Sequence, residues 1–203
     1  MLHGVPFIIV DLETTGLEPN LDSIVEIAAV KVVNGEVVDE KTHLVNPHIF
    51  IPQETTDITG ITTEMLAGAP EFKELIDEYL DFFGDEGVFV AHNVEFDYGF
   101  FNSHLRRMGR SELNNPYLCT FKLAKTVHPN LPRYGLGTLA ETFKIDLPQA
   151  HRAIHDARAT AELFLKFTKA LEAGGLKELK NFPHLQNLPK KNTDLAQGQT
   201  SLF

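Results

Sequence analysis

Two carboxylates separated by one residue follow an apolar run near the start of the chain. Residues 7–10 (FIIV) are typical of a strand buried on both faces, and Asp11 and Glu13 come directly after them. Residues two apart in a strand point to the same side of the sheet. Like charges held so close favour a cation between them, and carboxylate oxygens suit a hard divalent ion such as Mg²⁺ or Mn²⁺. An isolated pair of this kind is more often a solvated strand end, so a metal site requires further acids elsewhere.

Such acids occur at the starts of two predicted helices. Asp97 lies about one helical turn past the apolar strand Val88–Ala91, and Asp156 begins the last helix, with His151 on the preceding loop. Helix N-termini stabilise carboxylates, and a neutral histidine accepts a proton from water near neutral pH. Four carboxylates and one histidine are a set of side chains suited to two-metal hydrolysis of a phosphodiester. Taken singly, an Asp at a helix start is often a cap and His151 a surface residue, but their joint occurrence indicates a hydrolytic site.

Alternating strands and helices are predicted to position these residues. A long strand rich in β-branched residues, 23–33, turns at Asn34-Gly35 into a more polar return strand, 36–45, which is typical of a sheet edge. Glu26 interrupts the apolar pattern, and we expect it to be a rim residue facing water, with a role near the metals as the weaker alternative. After a loop at 46–63, the other predicted elements are an edge strand at 117–120 and helices at 72–83, from 94, at 121–127, at 136–143 and from 153 to before Gly174.

The composition is that of an ordinary globular domain with an acidic balance. The 203 residues, 43% of them hydrophobic, suit one domain with an appendage. No apolar run approaches the ~20 residues of a membrane span, and the N-terminus lacks the features of a signal peptide. A single cysteine, Cys119, excludes an intramolecular disulfide and favours a cytoplasmic protein. The net charge of -10 argues against broad binding along a duplex, but not against an enzyme that holds one strand end through metal ions.

Three segments that carry the candidate residues resemble the motifs of the DnaQ-like DEDDh 3′–5′ exonucleases. They are DLETTG from Asp11, HNVEFDYGFF from His92 and HRAIHDA from His151, and the ITGIT segment at 58–62 is also similar to that family. The resemblance covers about residues 5–170. It implies an α/β, RNase H-like exonuclease fold with a mixed five-stranded sheet flanked by helices. The implied division is an exonuclease domain at 1–172 and a flexible tail at 173–203.

The resemblance also implies a role for each candidate residue. Two divalent metal ions, Mg²⁺ or Mn²⁺, would share Asp11; Glu13 and Asp156 would complete one metal site, and Asp97 would serve the other. His151 would be the general base. Contacts with the 3′-terminal nucleotide would come from five residues, for each of which plain packing is an equal alternative: Thr14, Thr15, Leu17, Ile61 and Phe96.

The last five residues resemble the pentapeptide with which bacterial proteins dock onto the sliding clamp. Gln199 would hydrogen-bond at the rim of the clamp pocket, and Leu202 and Phe203 would fill an apolar cleft, whereas Thr200 departs from the usual leucine. A short anchor on a flexible tether raises the effective concentration of the tethered domain. The tail therefore favours a protein like the proofreading epsilon subunit of bacterial DNA polymerase III, with a replicative polymerase subunit and the sliding clamp as partners.

Three functions stay open at the level of the sequence. The leading one is metal-dependent release of nucleoside 5′-monophosphates from the 3′ end of single-stranded or frayed DNA during replication. An RNA-trimming enzyme of the RNase T or oligoribonuclease type would use the same residues, because the chemistry acts on the phosphate. A non-catalytic adaptor between clamp and polymerase would not need the complete catalytic set, which argues against this third function.

Overall fold

The computed structural model describes residues 4–176 and 181–186, which form a mixed five-stranded sheet flanked by helices. The strands are β1 (Phe7–Thr14), β2 (Ile24–Val33), β3 (Glu36–Leu44), β4 (Val88–Ala91) and β5 (Tyr117–Cys119). Their order in the sheet is β3-β2-β1-β4-β5. The central strand β1 is antiparallel to β2 and parallel to β4, and β5 is parallel to β4. The predicted fold class is thus confirmed.

The apolar run of β1 is buried on both faces because helices cover both sides of the sheet. The helices are α1 (Gln53–Thr59), α2 (Thr63–Leu66), α3 (Phe72–Phe83), α4 (Val94–Arg107), α5 (Thr120–Val127), α6 (Leu136–Phe143) and α7 (Ala153–Ala173). Ile9 belongs to a core cluster with residues of α5, α6 and α7, whereas Ile8 and Val10 belong to a second cluster with residues of α3 and α4. None of the described helices is both long enough and apolar enough to cross a membrane.

The segment predicted as a loop at 46–63 contains a short helix, α1. It begins after Pro52 and ends at Gly60, whose φ of 71° is the left-handed conformation that glycine adopts without strain. The Thr55 hydroxyl of α1 donates to the Thr15 carbonyl at 3.1 Å. Helix α1 therefore supports the turn that follows β1, next to the end of the strand that carries Asp11 and Glu13.

The predicted flexible tail at 173–203 is wrong for residues 181–186, which pack on the domain. Phe182 is 4% exposed, and its ring lies against those of Phe7 and Phe164 at centroid distances of 6.2 and 6.0 Å. Gln186 pairs with Tyr117 of β5 through two backbone hydrogen bonds of 2.9 and 3.2 Å. The buried Phe182 ring, together with Leu185, holds this segment on the core, so the packed domain extends beyond residue 172. The predicted clamp-binding residues, Gln199, Leu202 and Phe203, lie outside the described residues.

Candidate active site

The catalytic candidates meet at the C-terminal end of β1, between the N-termini of α4 and α7. Asp11 and Glu13 end the strand, while Asp97 and Asp156 lie in the first turns of the two helices. All four carboxylates and His151 line one open cleft with a volume of about 330 Å³. This volume lies at the lower end of the range of small-molecule sites, ~300–1,000 Å³. The structure thus brings together every residue of the predicted catalytic set.

Backbone hydrogen bonds orient the two helix-borne carboxylates. The Leu12 N–H of β1 donates to Asp97 Oδ1 at 3.1 Å, and the His151 N–H donates to Asp156 Oδ2 at 2.7 Å. The first bond ties α4 to the central strand, and the second ties the loop before α7 to that helix. Both carboxylates are buried, so neither can turn away into solvent. The site is therefore preorganised for a ligand.

The electrostatics of the cleft are those of clustered carboxylates. Burial, followed by repulsion from Asp97 and Asp156, raises the pKa of Asp11 well above its usual range. Burial and repulsion from Asp156 raise the pKa of Glu13 to about 8. Burial also raises the pKa values of Asp97 and Asp156. A divalent cation would remove this repulsion and allow all four groups to ionise at neutral pH.

The donor set fits such a cation. Glu13, Asp156 and the exposed His151 each offer a ligand atom, and these atoms lie within 4.8 Å of one another. Hard divalent ions prefer carboxylate oxygens, and imidazole suits several transition metals. The residues present therefore fit Mg²⁺ or Mn²⁺, with His151 close enough to exchange a proton with a ligand of the ion.

Glu26 is not a rim residue facing water, as the sequence analysis expects, but a buried acid 2% exposed. It lies opposite Glu13 in the β1–β2 ladder. The Arg152 side chain donates to Glu26 through Nε at 3.1 Å and through Nη2 at 2.8 Å, and the Ala153 N–H donates to Glu26 Oε2 at 2.9 Å. The sequence does contain a signal for this role. Glu26 is an acid inside an apolar strand, and a buried charge requires a partner. Glu26 fixes the residues that begin α7, and hence Asp156.

We expect Glu26→Ala to lower the free energy of unfolding by about 3 kcal/mol, because it leaves the Arg152 guanidinium and the Ala153 N–H without their acceptor. Chemical denaturation measures this loss. Glu40→Ala is the matched control, since Glu40 accepts from Arg158 Nε of the same helix at 2.9 Å but at the surface. This control should cost less than about 1 kcal/mol. Equal losses in the two variants would contradict a special role for Glu26.

His92 forms part of the cleft wall and was not given a chemical role by the sequence analysis. Its Nε2 lies 2.9 Å from the Tyr134 carbonyl, to which it donates, and its Nδ1 lies 3.0 Å from the Thr120 hydroxyl. Burial lowers the pKa of His92 to about 4. His92 is thus neutral near pH 7 with both nitrogens engaged, and it holds the loop before α6 against the end of β4.

The predicted substrate-contact residues fall into two groups. Leu17 is 78% exposed on the turn after β1, Phe96 is half-buried in the cleft wall, and the half-buried Thr14 donates its hydroxyl to the Gly16 carbonyl at 2.6 Å. In contrast, Thr15 uses its N–H, carbonyl and hydroxyl in hydrogen bonds within the protein. Ile61 is 0% exposed and packs with Val25, Ile51 and Leu66. In this conformation, Thr15 and Ile61 are engaged within the protein, and contact with the terminal nucleotide stays a prediction for all five residues.

Two residues at the cleft hold left-handed backbone conformations that non-glycine residues rarely adopt. They are Asn93, with φ of 76°, and His151, with φ of 62°. Asn93 occupies the predicted N-cap position of α4, yet its side chain makes no capping hydrogen bond. Strain of this kind concentrates at functional sites. Its occurrence on two separate segments of this cleft agrees with a functional role for the cleft.

Comparison with known families identifies the fold along most of the chain. A family model described as an exonuclease matches residues 8–164. The PolC-type DNA polymerase III of Halalkalibacterium halodurans is 42% identical over 163 residues, which are 80% of this chain and 11% of that protein. The PolC-type polymerase of Staphylococcus aureus is 38% identical over 176 residues, or 87% of this chain and 12% of the relative. The chain thus spans only about an eighth or less of these curated relatives.

Solved structures give the same architecture. Exonuclease X in complex with 5′ overhanging duplex DNA is 31% identical, with a TM-score of 0.68 over 84% of this chain and 94% of that one. Escherichia coli exonuclease I in complex with a dA16 oligonucleotide has a TM-score of 0.74 over 83% of this chain and 42% of that one. At 19% identity, this second likeness shows the fold alone.

Proposed function

The chain belongs to the exonuclease family, and from that membership we propose that it is a metal-dependent 3′–5′ exonuclease acting on single-stranded or frayed DNA. It would hydrolyse the phosphodiester nearest the 3′ end and release nucleoside 5′-monophosphates. The observation that carries this proposal is the convergence of four carboxylates and His151 around one open cleft. The raised pKa values of Asp11 and Glu13 support it further, because they indicate a site built for cations.

Each side chain has a distinct task in the proposed reaction. Asp11, Glu13, Asp97 and Asp156 would hold two divalent ions, with Asp11 shared between them. When bound, such ions stabilise the charge that develops on the phosphate and lower the pKa of the attacking water. His151 accepts the proton from that water at a ring nitrogen, and its exposed position lets it pass the proton on to solvent. The left-handed backbone at His151 and its N–H hydrogen bond to Asp156 fix the position on the loop from which the His151 ring projects.

Among nucleic acids, DNA is favoured by the relatives. The matched region belongs to DNA polymerases, and exonuclease X was solved with a DNA duplex. We therefore propose a proofreading role beside a replicative DNA polymerase. Binding of the sliding clamp through Gln199, Leu202 and Phe203, and a specific likeness to the epsilon subunit, stay predictions from the sequence. Leu17 and Phe96 are the proposed contacts with the terminal nucleotide, since both have accessible surface at or beside the cleft.

A 5′-labelled 20-nucleotide DNA strand tests the proposal directly. With Mg²⁺ we expect a ladder that shortens from the 3′ end and accumulates nucleoside 5′-monophosphates, and with EDTA we expect no cleavage. Chromatography of the products identifies the 5′-phosphate. A matched RNA strand serves as the comparison.

Efficient trimming of RNA with intact DNA would replace the DNA assignment by the RNA-trimming alternative. Absence of metal-dependent cleavage of either strand by folded protein would support the non-catalytic adaptor instead. A primer with a mismatched 3′ nucleotide, annealed to a template, tests the proofreading role. Preferential loss of the mismatched nucleotide is expected there, because a frayed end reaches the cleft more readily than a paired one.

A further inference from the structure

One stretch of this acidic chain contains no acidic residue. None of the 28 Asp and Glu residues lies between positions 113 and 140, although Lys122, Lys125 and Arg133 do. This stretch forms β5, α5, the following loop and the first half of α6. In a protein of net charge -10, such a segment carries a local excess of basic over acidic side chains. Its place in the fold decides what it can bind.

The stretch forms one wall of the catalytic cleft. Leu136 and Gly137 line the cleft, and His92, which also lines it, donates to the Tyr134 carbonyl at 2.9 Å. The Phe121 ring lies 5.7 Å from the His92 ring in an edge-on arrangement, and 6.2 Å from the ring of Tyr134. Phe121 and Tyr134 therefore both contact His92, a residue of the cleft wall.

Two cations of this wall, Lys125 and Arg133, are available to a ligand. Lys122, Lys125 and Arg133 are exposed, and only Lys122 forms an ion pair with a described residue, Glu95. The Lys125 ammonium lies 4.2 Å above the Phe121 ring and 5.6 Å from the centre of the Tyr134 ring. Cations beside half-buried aromatic rings form the combination with which proteins bind single-stranded nucleic acids. We call Phe121, Lys122, Lys125, Arg133 and Tyr134 the cationic wall.

Internal hydrogen bonds hold the loop of the cationic wall in place. The Tyr134 hydroxyl donates to the His128 carbonyl at 2.8 Å and accepts from the Leu131 N–H at 3.2 Å. The Tyr134 side chain thus links the two ends of the loop between α5 and α6. His92, which follows β4, holds the same loop through the Tyr134 carbonyl. A preordered surface loses less conformational entropy when it binds a strand.

We propose that the cationic wall binds the phosphate backbone of the substrate strand on the 5′ side of the nucleotide held at the carboxylates. This inference rests on the proposed function, because the cationic wall would bind the part of the substrate strand that the cleft itself does not hold. Phosphates are repelled by most of this acidic surface, whereas the exposed Lys125 and Arg133 supply charge beside the cleft. The half-buried rings of Phe121 and Tyr134 add a surface against which a base can stack.

The test is the affinity of the full chain for a 5′-fluorescein-labelled dT20 strand whose 3′-terminal linkages are methylphosphonates, which resist hydrolysis. Lys125→Gln/Arg133→Gln is compared with the wild type by fluorescence anisotropy in Mg²⁺ at several salt concentrations. We expect the Kd to rise by about tenfold and the slope of log Kd against log salt to fall by roughly 1.4, at about 0.7 for each charge removed. Both side chains are exposed, so the melting temperature should stay unchanged.

Lys31→Gln is the matched control. Its ammonium also lies 4.2 Å over a phenylalanine ring, that of Phe82, but Lys31 pairs with Ile8 at the start of β1, far from the acidic end of that strand. This variant should bind dT20 like the wild type. An unchanged Kd in the double variant, or an equal loss in Lys31→Gln, overturns the proposal.

Hydrolysis of thymidine 5′-(p-nitrophenyl phosphate) separates this inference from the proposed function. This small ester has no strand on its 5′ side, so it reports the carboxylate site alone. A wild-type protein that hydrolyses neither the ester nor DNA would refute the proposed function, while the anisotropy comparison still decides whether the wall binds a strand. In active protein, KM for a DNA strand should rise in the double variant by about tenfold relative to KM for the ester.

Discussion

Asp11→Asn is expected to lower kcat on single-stranded DNA by at least about a thousandfold and, at the same time, to stabilise the metal-free protein. The loss follows because the variant removes the carboxylate proposed to be shared by both ions. The gain follows because Asp11 is repelled by Asp97, Asp156, Glu13 and Glu26 at the end of a buried strand. Functional sites commonly hold such destabilising arrangements. Asparagine has nearly the same shape, so packing is preserved.

Two measurements check this pair of effects. Gel assays with a 5′-labelled strand give kcat, and thermal unfolding in EDTA at pH 8 gives the melting temperature, which should exceed that of the wild type. Asp146→Asn removes one exposed acid from the loop before α7 and should change neither quantity. Activity near the wild-type level would refute the role of Asp11. A lowered melting temperature in EDTA would refute the account of the site as a cluster of repelling charges.

The second large effect is on the pH dependence of stability. In the unfolded chain Glu13 has an ordinary pKa of 4.5, whereas burial and repulsion from Asp156 raise its pKa in the folded protein to about 8. Between these two values, the folded state binds more protons than the unfolded state. The free energy of unfolding of the metal-free protein therefore falls as the pH rises from about 4.5 to about 8. The raised pKa values of Asp11, Asp97 and Asp156 act in the same direction.

Thermal unfolding in EDTA at pH 5.5 and pH 8.5 measures this dependence. We expect the melting temperature to be lower at pH 8.5 by on the order of 10 °C, and Mg²⁺ to restore most of the difference at pH 8.5 but little at pH 5.5. The metal effect has this sign because binding requires ionised carboxylates, which protons compete for at low pH. A melting temperature that rises with pH in EDTA would contradict the raised pKa values. An equal effect of Mg²⁺ at both pH values would place its binding elsewhere.

The residues proposed to carry the chemistry could be predicted from the sequence because each lies at the boundary of a strand or helix. Asp11 and Glu13 end an apolar strand, and Asp97 and Asp156 begin helices whose periodicity is readable. The sheet follows from similar signals, since Asn34-Gly35 marks the turn between β2 and β3. The joint occurrence of the four acids at strand and helix ends already indicated one hydrolytic site, and the resemblance to a family added a role for each residue.

The features that the sequence analysis missed depend on contacts between distant positions. Glu26 and Arg152 are 126 residues apart, and only the fold brings them together. Residues 181–186 mix polar and apolar side chains without a periodic pattern, and the contact of Phe182 with Phe7 cannot be predicted from them. Thr15 and Ile61 lie in segments that resemble family motifs, but the residue pattern does not reveal that both side chains are buried.

The bridge between Gln186 and Tyr117 has a consequence for how the domain avoids self-association. It covers the outer edge of β5, whose N–H and carbonyl groups would otherwise be open to a strand from another molecule. The opposite edge, β3, carries Glu36, Asp39 and Glu40, which repel a second copy of the same edge. A shortened chain that ends at Ala173 would uncover the β5 edge together with the rings of Phe7 and Phe164. Such a fragment would keep all the candidate catalytic residues but would be less soluble than the longer chain.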